Sequence, residues 1–146
     1  MEQFDIINEL RTYATEQGWK FIYALDDFEA NEVIMQDLGL NEHVLVAGFN
    51  YTPTIKNRRI TSINYSGLMS LGRKFDADGQ AAMLDETQEQ KHDRRLKELV
   101  QMLSVCIAEM GCRGNMTADS GLIQPDPDKF DENIDFATAN TVSFIQ

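Results

Sequence analysis

Two histidines and two cysteines are the side chains of this chain that could bind a transition metal or act as nucleophiles. His43 and His92 fall in different predicted elements, and Cys106 and Cys112 lie six residues apart across a predicted helix end. A structural zinc site needs closely spaced ligands that converge, and these residues do not offer them. Cys106 lies on an apolar helical stripe, which favours a core position. The sequence therefore predicts neither a bound metal nor cysteine chemistry.

One acidic segment is similar to a calcium-binding loop. Asp76, Asp78 and Gly79 match the beginning of that loop. The motif also needs Gly at its sixth position and Glu at its twelfth, where this chain has Ala81 and Thr87. We therefore expect an ordinary loop.

No other spacing supports an enzyme active site. Ser70 lacks the G-x-S-x-G context of a nucleophile elbow, and the chain contains neither a G-x-G-x-x-G nor a Walker-type phosphate loop. Asp126, Asp128 and Asp131 are interpreted as a solvated loop, with a weak cation site as the alternative. We expect no catalytic residues and no cofactor, and a small enzyme with an unrecognised carboxylate site is the alternative.

Charge distribution gives the clearest functional indication. The 146-residue chain has a formal net charge of -11 at pH 7, yet residues 43–75 contain no Asp or Glu. The basic residues of that segment are Lys56, Arg58, Arg59, Arg73 and Lys74. We interpret them as an assembly interface, because head-to-tail oligomers join unlike surfaces and the rest of the chain is acidic. A solvated strand end and a nucleic-acid-binding or adaptor module are the alternatives.

Length and composition indicate one globular domain. A hydrophobic content of 42% and a charged content of 25% are ordinary for a folded protein, and no apolar run reaches the ~18 residues of a membrane span. The N-terminal MEQFDIINELRTY does not resemble a secretory signal. We therefore expect a soluble, cytoplasmic protein with free thiols and no membrane contact.

Hydrophobic periodicity, caps and turn residues predict the elements that must position the basic residues. These elements are a helix over 2–17 ended by Gly18, a strand over 19–25, a short helix over 26–38 ended by Gly39, strands over 43–51 and 58–65, a segment over 67–75 that continues the second of these strands or pairs with it, a long helix over 85–110 ended by Gly111, and a closing strand from 134 to the C-terminus, with loops over 76–82 and 124–133. The polar first half of the long helix is expected to project into solvent or reach a neighbour. This order predicts an α+β domain over residues 1–146, with two main helices on one largely antiparallel β-sheet.

Residues 50–67 are predicted to form a long, projecting β-hairpin. Pro53 cannot donate a ladder hydrogen bond and Asn57 tolerates turn geometry, so the connection is expected within residues 52–57. The basic residues expected near its tip are Lys56, Arg58 and Arg59.

The element order and the closing segment FDENIDFATANTVSFIQ resemble the tail terminator (tail-completion or neck) proteins of tailed bacteriophages. The resemblance extends over almost the whole chain. It implies a non-enzymatic virion subunit, assembled in the host cytoplasm, that forms a ring, commonly a hexamer, between the tail tube and the head connector. DNA would pass through the lumen without specific binding, because an acidic lumen repels phosphates.

The nucleic-acid alternative gives a first testable expectation. If Lys56, Arg58 and Arg59 gripped phosphates, the affinity for duplex DNA would fall steeply with salt through counterion release. Because the chain carries a charge of -11, we expect fluorescence anisotropy to detect no binding of duplex DNA at ~50 mM salt. Salt-sensitive binding would instead support the nucleic-acid module.

Overall fold

The computed structural model describes residues 4–25, 38–39, 41–74, 87–127 and 134–146. Its elements are α1 (Ile6–Gln17), β1 (Lys20–Tyr23), β2 (His43–Lys56), β3 (Arg59–Lys74), α2 (Gln88–Lys91), a π-helical segment (His92–Leu96), α3 (Lys97–Arg113), β4 (Thr117–Asp119), β5 (Ile123–Asp126) and β6 (Ile134–Ile145). The predicted α+β class is confirmed, with two main helices, α1 and α3, and a mixed six-stranded sheet. No helix within the described ranges is long and apolar enough to cross a membrane.

Several predicted features lie outside these ranges. They are the short helix over 26–38 except for Leu38, the loop over 76–82, and the side chains of Asp128 and Asp131.

The first helix ends where the sequence predicts, but it begins at Ile6 and not at residue 2. Asp5 is the N-cap, and its Oδ1 accepts a hydrogen bond from the backbone N–H of Asn8 at 3.1 Å, which satisfies a donor of the first turn. Gly18 ends the helix at φ 77, a left-handed conformation that glycine adopts without strain. The predicted first helix is therefore confirmed.

The sheet is built around β6, the closing strand. Its order is β1-β2-β3-β6-β4, and β5 also pairs with β6. β1 runs parallel to β2, whereas every other described pair is antiparallel. The predicted loop over 124–133 is wrong at its start, because residues up to Asp126 belong to β5 and pair with β6.

Both faces of the central sheet are apolar. Leu45 and Phe49 of β2 belong to the main core beneath α1 and α3, whereas Val44 and Val46 belong to a smaller cluster on the other face with Phe136. Strands buried on both faces have continuous apolar runs instead of alternation. The run HVLVAGF at the start of β2 follows from this burial.

β2 and β3 pair along their full lengths. The turn between them consists of Asn57 and Arg58, so the expected connection over 52–57 is wrong for residues 52–56, which belong to β2. Pro53 lies on an edge portion of the strand, where sheets tolerate proline. The segment over 67–75, predicted to continue the strand over 58–65 or to pair with it, continues it as one strand, β3, through Lys74.

The long helix begins and ends later than predicted. The backbone N–H of Thr87 donates to Gln90 Oε1 at 2.9 Å, and that of Gln90 donates to Thr87 Oγ1 at 3.2 Å, as in a capping box. α3 then continues through Gly111 to Arg113. A Cβ at Gly111 would lie 3.0 Å from the Cβ of Ala118, so this glycine permits close approach of β4 and does not end the helix.

Leu103 of α3 is fully buried in the main core. We expect Leu103→Ala to lower the free energy of unfolding by about 2 to 5 kcal/mol, because it leaves a cavity. Val105 lies on the same helix but is 60% exposed, and we expect Val105→Ala to change the free energy by no more than about 0.5 kcal/mol. Urea unfolding of both variants is the measurement, and equal losses would contradict the assigned packing.

Candidate assembly interface

Residues 50–56 of β2 and 59–64 of β3 form a two-stranded ribbon, the arm, that extends beyond the other strands. β6 pairs with β3 only from Tyr65 onward, and β1 pairs with β2 only as far as Ala47. Among the described residues, no third strand pairs with either edge of the arm. Such ribbons are marginally stable alone, and unpaired strand edges can pair with another chain. The arm therefore has the geometry of a contact surface.

A tight turn places three cations at the end of the arm. Asn57 at φ 53 and Arg58 at φ 64 are both left-handed, as a two-residue type I′ turn requires. Asparagine accepts this conformation, whereas for a residue such as arginine it costs roughly 1–2 kcal/mol. Lys56 and Arg59 face each other across the ribbon next to the turn. We call Lys56, Arg58 and Arg59 the tip cations.

Nothing that the structure describes balances the charge of the tip cations. All three are exposed, and none has an ion-pair partner within the part of the chain that the structure describes. Like charges on neighbouring positions of a ribbon repel each other. An acidic surface supplied by another molecule would relieve this repulsion.

One face of the arm continues the core face of the sheet. By the two-residue period of a strand, Tyr51 and Ile55 follow Phe49 on the same side of β2. Tyr51 packs edge-to-face on Tyr65 with ring centroids 5.3 Å apart, yet the Tyr51 side chain is 55% exposed. Ile55 is 67% exposed, and its cross-strand partner Ile60 is 47% exposed. Sequence reasoning missed these residues, although the apolar alternation past Phe49 was a signal for them.

Arg73 and Lys74 lie away from the tip cations. They end β3, roughly 45 Å along the strand from Arg59 at ~3.3 Å per residue. Arg73 Nη1 donates to Glu98 Oε2 at 3.4 Å, and Nη2 donates to the carbonyl oxygen of Arg95 at 3.3 Å. The structure therefore brings together three of the five predicted interface residues. It places Arg73 beside the long helix and Lys74 against the backbone of Asn41 and Glu42.

A buried ion pair ties the π-helical segment to β6. Arg95 Nε donates to Asp135 Oδ2 at 2.8 Å, Arg95 Nη2 pairs with Asp135 Oδ1, and the two side chains are 5% and 0% exposed. The expectation that the polar first half of the long helix projects into solvent or reaches a neighbour is therefore wrong for Arg95. The pair spans 40 positions in sequence, so no local pattern could reveal it.

His43 lies near this ion pair, at the start of β2. Its Nε2 is buried without a hydrogen-bond partner, and its ring centroid is 6.0 Å from that of Trp19. Burial lowers the pKa of His43, the positive charge of Arg73 lowers it further, and Glu98 raises it. A lowered pKa keeps the imidazole neutral at pH 7.

Two of the candidate nucleophiles, Cys106 and Ser70, are buried core residues, whereas Cys112 is exposed. Burial raises the pKa of the Cys106 thiol to about 12, so this thiol stays protonated at neutral pH. Ser70 lies in β3, as expected, and its hydroxyl shares a 2.9 Å hydrogen bond with the hydroxyl of Thr138. Within the described ranges, no group of three or more metal-binding side chains comes together.

No family of known proteins matches the chain, and no curated protein is similar enough to be a relative. The functional interpretation therefore rests on the arm, its charges and its exposed apolar side chains.

The Arg95–Asp135 pair gives a test of the core. We expect Asp135→Ala to lower the free energy of unfolding by about 3 to 5 kcal/mol, because it removes the carboxylate that balances the buried Arg95 charge. The double variant Arg95→Met/Asp135→Leu should lose less, since no charge stays buried. Glu98→Gln is the control, because Glu98 is 63% exposed and an exposed ion pair contributes about 0 to 1 kcal/mol. Urea unfolding measures the free energy of each variant. Equal losses for all three variants would contradict a stabilising role of the buried ion pair.

Proposed function

We propose that the protein is a structural subunit that assembles with other copies of itself through the arm. The observation that carries this proposal is the combination, on one projecting ribbon, of exposed apolar side chains and three cations that have no ion-pair partner among the described residues. Either feature alone is common on protein surfaces. Together, on a ribbon that no third described strand flanks, they favour a contact surface.

Burial of the arm would contribute favourable free energy. Ile55 and Ile60 are 67% and 47% exposed. Full burial of a fully exposed side chain of this kind is worth roughly 1.5–3 kcal/mol, so covering the part that is still exposed would contribute about half of that. A strand added beside the arm would also form ladder hydrogen bonds with its edges. The exposed isoleucines and open strand edges, which are unfavourable in the monomer, would therefore become contacts in an assembly.

Charge favours a second copy as the partner. All 24 acidic residues lie outside residues 43–75, together with eight of the 13 Lys and Arg. The remainder of each copy is therefore strongly acidic and complements the tip cations. Such complementarity speeds encounter and sets orientation more than it raises affinity.

The resemblance to tail terminator proteins supports a specific place for such an assembly. The proposed protein is a ring subunit, commonly six to a ring in that family, that completes the tail at the junction between tail tube and head connector. DNA would pass through the ring, and the acidic remainder of each subunit would keep phosphates from adhering. This role is structural and needs no cofactor.

Charge reversal at the tip tests the proposal. We expect Arg58→Glu/Arg59→Glu to abolish assembly, because like charges placed against an acidic neighbour cost several kcal/mol per contact. Both positions are exposed, so each change should alter monomer stability by no more than about 0.5 kcal/mol. Light scattering at several concentrations, alone and with tail-tube or connector subunits, measures assembly, and thermal melting reports the fold.

Two turn variants separate charge from turn geometry. Asn57→Gly keeps all three tip cations and the left-handed turn, so assembly should be unchanged. Arg58→Gly removes one cation and also relieves the strain at φ 64, so the melting temperature should rise while assembly weakens. A double charge-reversal variant that assembles like the wild type would show that the arm is only a solvated strand end.

A further inference from the structure

The surface between α1 and α3 contains an apolar groove. Its volume is about 210 Å³, and its lining residues are Tyr13, Gln17, Trp19, Gln101, Met102 and Val105. The Tyr13 and Trp19 rings pack edge-to-face with centroids 5.6 Å apart, which makes one wall rigid. Val105 on the facing wall is 60% exposed. Small-molecule sites usually measure ~300–1,000 Å³, so this groove suits a few inserted side chains better than a ligand.

Carboxylates flank the groove. Glu16 precedes the lining residue Gln17, Glu98 lies one turn before Gln101 on α3, and Glu109 lies one turn after Val105. The side chains of these three glutamates are 50%, 63% and 43% exposed.

Cations of the same chain neutralise part of the charge of these glutamates. Arg113 pairs with Glu16 and Glu109, and Arg73 pairs with Glu98; Lys97 is exposed on the same helix. Even so, each of the three carboxylates keeps at least two fifths of its surface accessible to a further cation.

The groove and the tip cations lie at opposite ends of the same strand. Trp19 lies beside His43, the first residue of β2, with ring centroids 6.0 Å apart. Lys56 is the last residue of β2, roughly 43 Å away at ~3.3 Å per residue. The tip therefore cannot reach the groove of its own chain.

We propose that the arm tip of one copy docks into the α1/α3 groove of the next copy. Ile55 and Ile60 would fill the apolar groove, and the tip cations would approach the flanking glutamates. This contact joins two different surfaces, so repetition builds a closed ring when the rotation closes and a filament when it does not. The inference rests on the proposed function and names the partner surface of the arm.

Site-specific cross-linking tests this pairing. In a Cys112→Ser background, copies with Ile55→Cys are mixed with copies with Val105→Cys and treated with a short bifunctional maleimide. Cys106 is buried and stays unreactive. We expect a covalent dimer from this mixture and none when Val105→Cys is replaced by Leu122→Cys, because Leu122 is 79% exposed but lies outside the groove. Equal cross-linking of both mixtures, or of the Leu122 mixture alone, would overturn the inference.

A matched pair of arginine substitutions separates this inference from the proposed function. Val105→Arg should weaken assembly roughly tenfold or more, whereas Leu122→Arg should leave it unchanged, with light scattering as the measurement. If the wild type assembles, the tip variant Arg58→Glu/Arg59→Glu does not, and Val105→Arg assembles normally, the arm is the interface but the groove is not its partner. If the wild type does not assemble at all, both proposals fail together.

Discussion

Two helices cover only part of the sheet's apolar face, and most other features of the molecule follow from this limit. α1 and α3 bury the face as far as Phe49 and Tyr65. Beyond these residues β2 and β3 continue as a ribbon whose apolar side chains become more exposed toward its end, although Ile63 still packs on the main core. Because apolar surface on an open-edged ribbon is a liability for a monomer, this exposure is the reason why we propose that another molecule buries the ribbon.

The fold near the helices depends on contacts that are distant in sequence. Arg113 binds three glutamates, one on its own helix and two on α1, and Arg95 binds Asp135 of the closing strand. These two arginines hold the long helix to α1 at one end and to β6 at the other. The walls of the groove between α1 and α3 are therefore fixed by ion pairs that lie outside it.

Sequence patterns predicted the elements whose ends are set by residues close in sequence. Asp5 and Gly18 fix the ends of α1 within a few residues, so the first helix could be found from sequence. β5 could not, because Pro125 and Asp126 disfavour a strand and only pairing with β6 makes one. Arg73 was grouped with the tip cations because all of them lie in the acid-free segment 43–75, but most of β3 separates Arg73 from the tip. The exposed isoleucines of the arm were missed, since alternation shows a face and not whether anything covers it.

Distance along the strand also explains why an acidic chain carries a basic tip. At physiological salt, charges on the surface are screened beyond about 8 Å, so the tip cations gain almost nothing from glutamates roughly 40 Å away at the other end of their own strand. The basic residues near the body behave differently, because Arg73, Arg95 and Arg113 each have a carboxylate partner within the chain. Identical acidic bodies repel one another over most orientations. In the proposed assembly, the orientation that brings the tip of one copy to the helices of the next is the one in which that repulsion becomes attraction, and this would give the assembly a single direction.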